Sequence, residues 1–119
     1  MEFWHFGVPS VAGVERMAQT CEELNFDGLT LTDSQNLSNE TYIALTLAAK
    51  ATNVLKLGPG VTNPITRHAA VTASAAVTLQ EVSNGRVIIG IGRDDSSLSN
   101  IGFKSANPDV SQTYITCLL

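Results

Sequence analysis

The stretch "LGPGVTNPITRH", residues 57–68, marks the end of an apolar strand and decides how the repeats around it can fold. Pro59 and Pro64 stiffen its backbone, whereas Gly58 and Gly60 leave it free to turn. In parallel α/β sheets, ligands bind where the strands end. The stretch is therefore a candidate pocket floor, with an ordinary Gly-Pro turn after a strand as the alternative.

Strands and helices alternate on both sides of this stretch. Short apolar segments near residues 3–8, 28–32, 54–58 and 86–91 are typical of strands, and helical periodicity fills the intervals between them. The predicted apolar faces are Val14, Met17, Ala18, Cys21 and Leu24 on the first helix; Tyr42, Leu45, Ala48, Ala49 and Thr52 on the second; and Val71, Ala75, Thr78, Leu79 and Val82 on the third. A strand and a helix repeating about every 25–30 residues predict a parallel sheet.

Two architectures fit this alternation: a small doubly wound sheet, or part of a (β/α)8 barrel. A barrel needs about 250 residues, so the 119 residues of this chain would supply half of one. The fourth segment, "RVIIGIG" at residues 86–92, is apolar at nearly every position, which predicts a strand covered on both faces.

Composition excludes several function classes. The chain has 44% hydrophobic and 15% charged residues and a net charge of −4, which argues against nucleic-acid binding. Neither a secretory leader nor an apolar stretch of membrane-spanning length is recognisable, so we expect a cytoplasmic protein that does not bind membranes. No pair of cysteines or histidines has the spacing of metal ligands, so no metal site is predicted.

Polar residues and glycines gather where the predicted strands end. The segments "GVPS", "TDSQN", "GPGVTNP" and "GRDDSS" follow the four strands, whereas the opposite loops, "NFD", "TN" and "SNG", are short. This asymmetry predicts a site on one edge of the sheet. Gly90 and Gly92 do not continue into a dinucleotide-binding fingerprint, and a Ser-His-Asp set has few candidates. Any catalysis must therefore borrow its chemistry from a cofactor. We expect Ser38 or Asn39 to cap the second helix and His68 to cap or flank the start of the third.

Three segments together resemble the bacterial luciferase-like superfamily: "FDGLTLTDS" (26–34), "KLGPGVTNPITRHAAVTASAAVTLQEVSNGR" (56–86) and "IGIGRDDSS" (89–97). The similarity covers roughly residues 3–102 and is greatest to the branch of deazaflavin (F420)-dependent reductases of the methylenetetrahydromethanopterin reductase type. It implies that residues 1–104 are the N-terminal half of a (β/α)8 TIM barrel, with four parallel strands in the order 1-2-3-4 and three helices on one side. It also implies an oxidoreductase or monooxygenase acting on a small-molecule substrate through bound FMN or F420.

The resemblance also implies roles for particular residues. The end of the third strand would form a bulge behind the cofactor ring, with a cis peptide bond between Gly60 and Val61. Asn63 and Asp33 would face the ring, although "DSQN" also suits an ordinary Asx turn around Asp33. Asp95 matches a proton acceptor of some F420 enzymes, with a solvated loop carboxylate as the alternative. Arg93, the one cation expected on this rim, would bind a phosphate or a substrate carboxylate, or pair with Asp94 or Asp95.

The chain departs from the family pattern in three places. Ser34 stands where many members have a histidine, and Asp94 stands where relatives often have a glycine. Residues 105–119 differ from the family and are expected to be a divergent or disordered tail. Two interpretations follow: half of an oxidoreductase, or a truncated non-catalytic half barrel that dimerises or pairs with a separate C-terminal half. The Ala- and Thr-rich second and third helices are expected either to pack on the chain's own sheet or to form a homodimer contact.

Overall fold

The computed structural model describes residues 1–93 and 96–119 and has an α/β architecture. In these ranges, three parallel strands form one sheet in the order β1-β2-β3. The elements in chain order are β1 (Trp4–Gly7), α1 (Val14–Glu23), β2 (Gly28–Leu31), α2 (Thr41–Ala51), β3 (Lys56–Pro59), α3 (Ala69–Val82), α4 (Ser96–Asn100) and α5 (Pro108–Leu118). Each of the first three strands is followed by a helix, as the alternation in the sequence predicts.

The fourth predicted strand is present only as an irregular segment. Residues 86–92 run parallel to β3 and meet it at two isolated bridges, Leu57 with Val87 and Thr62 with Ile91. The predicted order and direction are therefore confirmed. The expectation that this segment is covered on both faces was wrong, because Ile88 is 44% exposed. In the described residues, no helix covers the face of the sheet on which Ile88 lies. A complete barrel would enclose this face.

The core lies between the sheet and the first three helices. Leu29, Leu31 and Leu57 point to the same side of the sheet and are fully buried there. The predicted apolar face of α2 is confirmed in full, and that of α1 is confirmed except at Leu24, which is 65% exposed. Leu24 follows the last residue of α1, so the helical period no longer directs its side chain inward.

The predicted apolar face of α3 was largely wrong. Its buried residues are Ala69, Thr72 and Leu79, whereas Val71 is 54% exposed and Val82 is 37% exposed. Apolar residues occur all around this helix, so the period alone does not select one face. The contacts of α3 with α2 and α5 decide which of its residues are buried.

The helix caps differ from expectation at one of two sites. His68 caps α3, as predicted: its Nδ1 atom accepts a hydrogen bond from the Ala70 amide at 3.2 Å. The cap of α2 is Glu40 rather than Ser38 or Asn39, and its carboxylate accepts from the Ile43 amide at 2.8 Å. Asn39 cannot serve because its side-chain oxygen accepts a hydrogen bond from the amide of Val11.

Two charged side chains tie together the amino edge of the sheet. The Glu22 carboxylate accepts hydrogen bonds from three consecutive amides before β3, those of Asn53, Val54 and Leu55. Arg86 donates to the following acceptors: the carbonyls of Ala49, Thr52, Leu55 and Ser83 and the hydroxyl of Thr52. These contacts join the ends of α2 and α3 to the start of β3.

The C-terminal segment contains a helix, α5, which packs against α3. The hydroxyls of Tyr114 on α5 and Thr72 on α3 form a buried hydrogen bond. Asn107 caps the helix by accepting from the Val110 amide at 2.9 Å. The domain boundary predicted at residue 104 stays a prediction.

Candidate functional site

The carboxyl edge of the sheet carries a bulge at the end of β3. From Leu57 to Thr62 the chain advances by one residue more than the opposing segment from Val87 to Ile91. The extra residue lies beside the peptide bond between Gly60 and Val61, which is cis. Backbone hydrogen bonds close the bulge on both sides, from Gly90 N to Pro59 O at 3.1 Å and from Thr62 N to Gly90 O at 2.9 Å. Bulges of this kind often re-aim side chains beside active sites.

Glycines make this close approach of backbones possible. A Cβ atom on Gly58 would lie 1.6 Å from the carbonyl oxygen of Ile88, and one on Gly60 would lie 2.7 Å from Cβ of Thr30. On the opposing segment, a Cβ on Gly92 would lie 2.5 Å from a methyl carbon of Val61. The glycines in "LGPG" and "GIG" therefore serve one purpose, which is to fit two strands and the bulge into one narrow space.

The bulge presents a small apolar surface, which we call the ledge and define as residues 60–62. Val61 is 40% exposed at its tip, whereas Thr62 is fully buried behind it. An exposed apolar side chain on a backbone fixed from both sides is suited to support a flat ring.

Behind the ledge lies a buried ion pair between Asp33 and Arg67. The Arg67 guanidinium binds both carboxylate oxygens, with Nε 2.7 Å from Oδ2 and Nη2 3.0 Å from Oδ1. Asp33 is 3% exposed and also accepts a hydrogen bond from the Thr62 hydroxyl at 2.8 Å. Asp33 thus joins the end of β2 to the ledge. The side-chain amide of Gln35 donates to Asp33 as well, at 2.8 Å, which is not the backbone bond of an Asx turn.

Two further side chains complete what we call the Arg67 cluster: Asp33, Glu40, Tyr42, Thr62 and Arg67. Nη2 of Arg67 also binds the Glu40 carboxylate, and its guanidinium carbon lies 4.8 Å from the centre of the Tyr42 ring. The bond to Asp33 raises the pKa of Arg67 further above its usual value, against the effect of burial. Burial and the charge of Asp33 raise the pKa of Tyr42 to about 12. The Tyr42 hydroxyl is buried and has no hydrogen-bond partner within the described part of the chain.

Asn63 is fully buried on the far side of Thr62. Its side-chain oxygen accepts hydrogen bonds from the Ile65 amide at 3.0 Å and from the Thr66 amide at 2.9 Å. These bonds fix the loop that leads to Arg67. The predicted contact between Asn63 and a cofactor ring stays a prediction.

Arg93 lies at the exposed rim, and its Nε donates to the Ala106 carbonyl at 2.7 Å. This bond ties the segment before α5 to the carboxyl edge. Asp94 and Asp95 lie outside the described residues. Either was an expected partner of Arg93, and Asp95 was also the expected proton acceptor. Arg67 also follows β3, but its guanidinium is folded inward onto Asp33, and the expectation that Arg93 is the one cation on this rim stays a prediction.

Sequence reasoning missed Arg67 and Thr62. Both lie within the opening stretch of residues 57–68 and follow the predicted strand end closely. Their partner Asp33 is 34 residues before Arg67, so the pairing depends on two neighbouring strands ending at the same edge. Combining the strand ends with the order of the strands could have suggested it.

Comparison with known proteins agrees with the fold. A family model described as luciferase-like monooxygenase matches residues 4–111. The 5,10-methylenetetrahydromethanopterin reductase of Methanolobus tindarius is 46% identical over 87 residues, which are 71% of this chain and 26% of that protein. The enzyme of the same name from Archaeoglobus fulgidus is 41% identical over 96 residues, 80% of this chain and 29% of that protein. The chain thus spans less than a third of these curated relatives.

Solved structures give the same result. The coenzyme F420-dependent tetrahydromethanopterin reductase from Methanopyrus kandleri superposes with a TM-score of 0.86 at 29% identity, covering 97% of this chain and 38% of that one. The oxygenating constituent of 3,6-diketocamphane monooxygenase from Pseudomonas putida, solved in complex with FMN, shares the fold with a TM-score of 0.78 at 16% identity, over 99% of this chain and 39% of that one. The chain has the α/β fold of the N-terminal half of a (β/α)8 barrel, and it belongs to the luciferase-like monooxygenase family.

Proposed function

We propose that this chain forms the ring-binding half of the cofactor site of an F420-dependent reductase that transfers hydride to or from a small-molecule substrate. The observation that carries the proposal is the glycine-packed ledge at the carboxyl edge of the sheet, where Val61 is exposed above a fixed backbone. Support for a reductase comes from the relatives at 41–46% identity, which are named as reductases. Support for F420 comes from the F420-dependent enzyme with a TM-score of 0.86.

The residues present are suited to a deazaflavin or a flavin. Such a ring is flat and apolar on its faces, and the exposed side chain of Val61 on the ledge offers an apolar contact. When bound, the cofactor supplies the redox chemistry, and the protein supplies position and electrostatics. FMN is the second candidate cofactor, because the diketocamphane monooxygenase that shares this fold was solved with FMN.

Each predicted site residue has a part in this proposal. Gly60 and Val61 support the ring, while Asp33 and Asn63, both buried, hold the ledge in place and are candidates for contact with the edge of the ring. Arg93 borders the substrate side and would bind an anionic group of cofactor or substrate. Asp95 is the proposed proton acceptor.

A non-catalytic half barrel is the second candidate function. Phe6 and Ile88 share the face of the sheet opposite the helices and are 61% and 44% exposed. An open cavity of about 580 Å³ also separates α3 from Val87 and Ile89. These uncovered surfaces favour pairing with a separate C-terminal half.

The proposed partners follow from the same surfaces. A homodimer through α2 and α3 stays a proposal, supported by the exposed side chains of Ile43 and Val71. No helix in residues 1–93 and 96–119 is long and apolar enough to cross a membrane. The cytoplasmic location stays a prediction.

Calorimetric titration of the purified chain with F420 and with FMN tests the proposal. We compare the wild type with Gly60→Ala, whose new Cβ would collide with Thr30, and with the control Gly13→Ala, whose Cβ would meet nothing closer than 3.9 Å. We expect Gly60→Ala to weaken cofactor binding by about tenfold or more and Gly13→Ala to bind like the wild type. A wild type that binds neither cofactor would favour the non-catalytic half barrel. Equal affinities of all three proteins would mean that the cofactor binds somewhere other than the ledge.

A further inference from the structure

The Arg67 cluster has a feature that the proposed function does not use: it joins two loops that belong to different strands. One loop, residues 32–40, follows β2, and the other, residues 60–68, follows β3 and contains the ledge. The bonds from Arg67 to Asp33 and Glu40 are side-chain contacts across the gap between these loops.

The ion pair differs from the other ion pairs of the described residues in its burial. The side chains of Arg67 and Asp33 are 15% and 2% exposed, whereas Arg16 and Glu23, paired on the surface of α1, are 73% and 62% exposed. A solvated pair contributes little to fixing a structure. A bidentate pair with a buried carboxylate and a largely buried guanidinium fixes both partners, because water has little access to replace either one.

A continuous path of hydrogen bonds leads from this pair to the ledge. Asp33 accepts from the Thr62 hydroxyl at 2.8 Å. The Thr62 backbone in turn donates to the Gly90 carbonyl and accepts from the Gly92 amide, both at 2.9 Å. The position of Asp33 therefore determines where Thr62, and with it Val61, can lie.

Loss of Arg67 would change the charge balance behind the ledge. Asp33 and Glu40 would remain as two carboxylates with no guanidinium between them. The hydrogen bonds from Thr62 and Gln35 to Asp33 do not neutralise its charge, so without a cationic partner the buried carboxylate must bind a proton or move toward water. Movement of Asp33 toward the loop of residues 34–40 would withdraw its bond from Thr62.

We propose that Arg67 is a positioning residue for the cofactor: by holding Asp33 against Thr62 it fixes the ledge on which the ring lies. The inference rests on the proposed function for the identity of the ligand, and on the contacts of the chain alone for the fixing of the ledge. Arg67 itself lies behind the ledge and acts through Asp33 and Thr62.

Hydrogen–deuterium exchange of the cofactor-free chain tests the first part. We compare wild type, Arg67→Lys, Arg67→Met and the surface control Arg16→Met. Lysine keeps the charge but cannot bind both carboxylate oxygens through a planar fork. We expect the amides of Gly60 and Thr62, which donate to Leu31 and Gly90, to exchange about tenfold faster in Arg67→Lys and faster still in Arg67→Met, while the amides of α1 keep their wild-type protection.

Cofactor affinity tests the second part. We expect Arg67→Lys to bind F420, or FMN if that is the cofactor of the wild type, about tenfold more weakly, and Arg16→Met to bind normally. If Arg67 acts through Asp33, adding Asp33→Asn to Arg67→Met should weaken binding by much less than the product of the two separate effects.

The outcomes separate this inference from the proposed function. A wild type that binds neither cofactor contradicts the proposed function, and the exchange rates still decide whether Arg67 fixes the ledge. Wild-type exchange at Gly60 and Thr62 in both Arg67 variants would overturn the inference. Faster exchange with unchanged affinity would overturn the positioning role, and so would unfolding of both variants, because Arg67 would then support the whole fold instead of the ledge.

Discussion

The two ends of the sheet are held by charged residues in different ways. At the amino end, Glu22 and Arg86 bind mainly to backbone amides and carbonyls of connecting segments. At the carboxyl end, Arg67 and Asp33 bind one another, and the apolar tip of the ledge stays exposed. In (β/α)8 barrels, the amino end serves stability and the carboxyl end carries the chemistry. In this chain the charged side chains therefore bind mainly the backbone at the amino end and one another at the carboxyl end.

The largest effect is expected where β3 meets the neighbouring segment of residues 86–92, at Gly58. An alanine there would place Cβ 1.6 Å from the Ile88 carbonyl oxygen, so the backbone of β3 or of residues 86–92 must move. We expect Gly58→Ala to lower the free energy of unfolding by about 3 kcal/mol or more, measured by urea denaturation. Gly13→Ala serves as the control, and a loss of less than about 0.5 kcal/mol in Gly58→Ala would contradict the close packing described for this edge.

The amino end should lose stability without losing cofactor affinity. Arg86→Met removes all the side-chain hydrogen bonds from Arg86 to Ala49, Thr52, Leu55 and Ser83. We expect a loss of about 2 kcal/mol, because carbonyls at the ends of two helices lose their donor. Arg16→Met should change the unfolding free energy by less than about 0.5 kcal/mol.

Cofactor titration of the same Arg86→Met protein tests whether the two ends of the sheet act independently. Under conditions where the variant is folded, its affinity should equal that of the wild type, since Arg86 lies at the opposite end of the sheet from the ledge. A weakened affinity would mean that the two ends are coupled.

Glu22 should give the amino end a dependence on pH. Burial alone would raise its pKa, but hydrogen bonds from the amides of Val54, Leu55 and Asn53 lower it below the usual value of 4.5. A carboxyl group with a lowered pKa in the folded state stabilises the fold above its unfolded pKa, and this contribution is lost as the pH falls through the folded pKa.

We therefore expect Glu22→Gln to lower the free energy of unfolding by about 0.5–1 kcal/mol at neutral pH, with the difference from the wild type shrinking as the pH falls below 4.5. Urea denaturation at pH 7 and in acid measures it. The neighbouring exposed Glu23→Gln is the control, and a difference for Glu22→Gln that grows in acid would contradict the lowered pKa.

The sequence predicts the repeat of the fold better than the details of its site. The two-residue repeat of Leu29 and Leu31 identifies a strand, and the helical repeat around Leu45 identifies the buried face of α2. The period fails for α3, where apolar residues lie on all sides and contacts with α2 and α5 decide which face is buried. The cap at Glu40 was missed because Asn39, the better capping residue, bonds to Val11 from a distant loop.

Only part of the site was predicted, because some of its features involve residues close together in the sequence and others join residues far apart. The cis bond between Gly60 and Val61 was expected from the resemblance carried by residues 56–86 and is present. The Arg67–Asp33 pair depends on two strand ends meeting in space, which no local pattern contains. The roles predicted for Asn63, Arg93 and Asp95 stay predictions.

The central claim, that the ledge is the cofactor platform, is tested most directly by mapping amide chemical shifts while F420 or FMN is added to the chain. If the ledge binds the ring, the largest shift changes should fall on Gly60, Val61 and Gly92, with little change in α1. Changes centred instead on Val77 and Ile89, which line the open cavity beside α3, would contradict the claim.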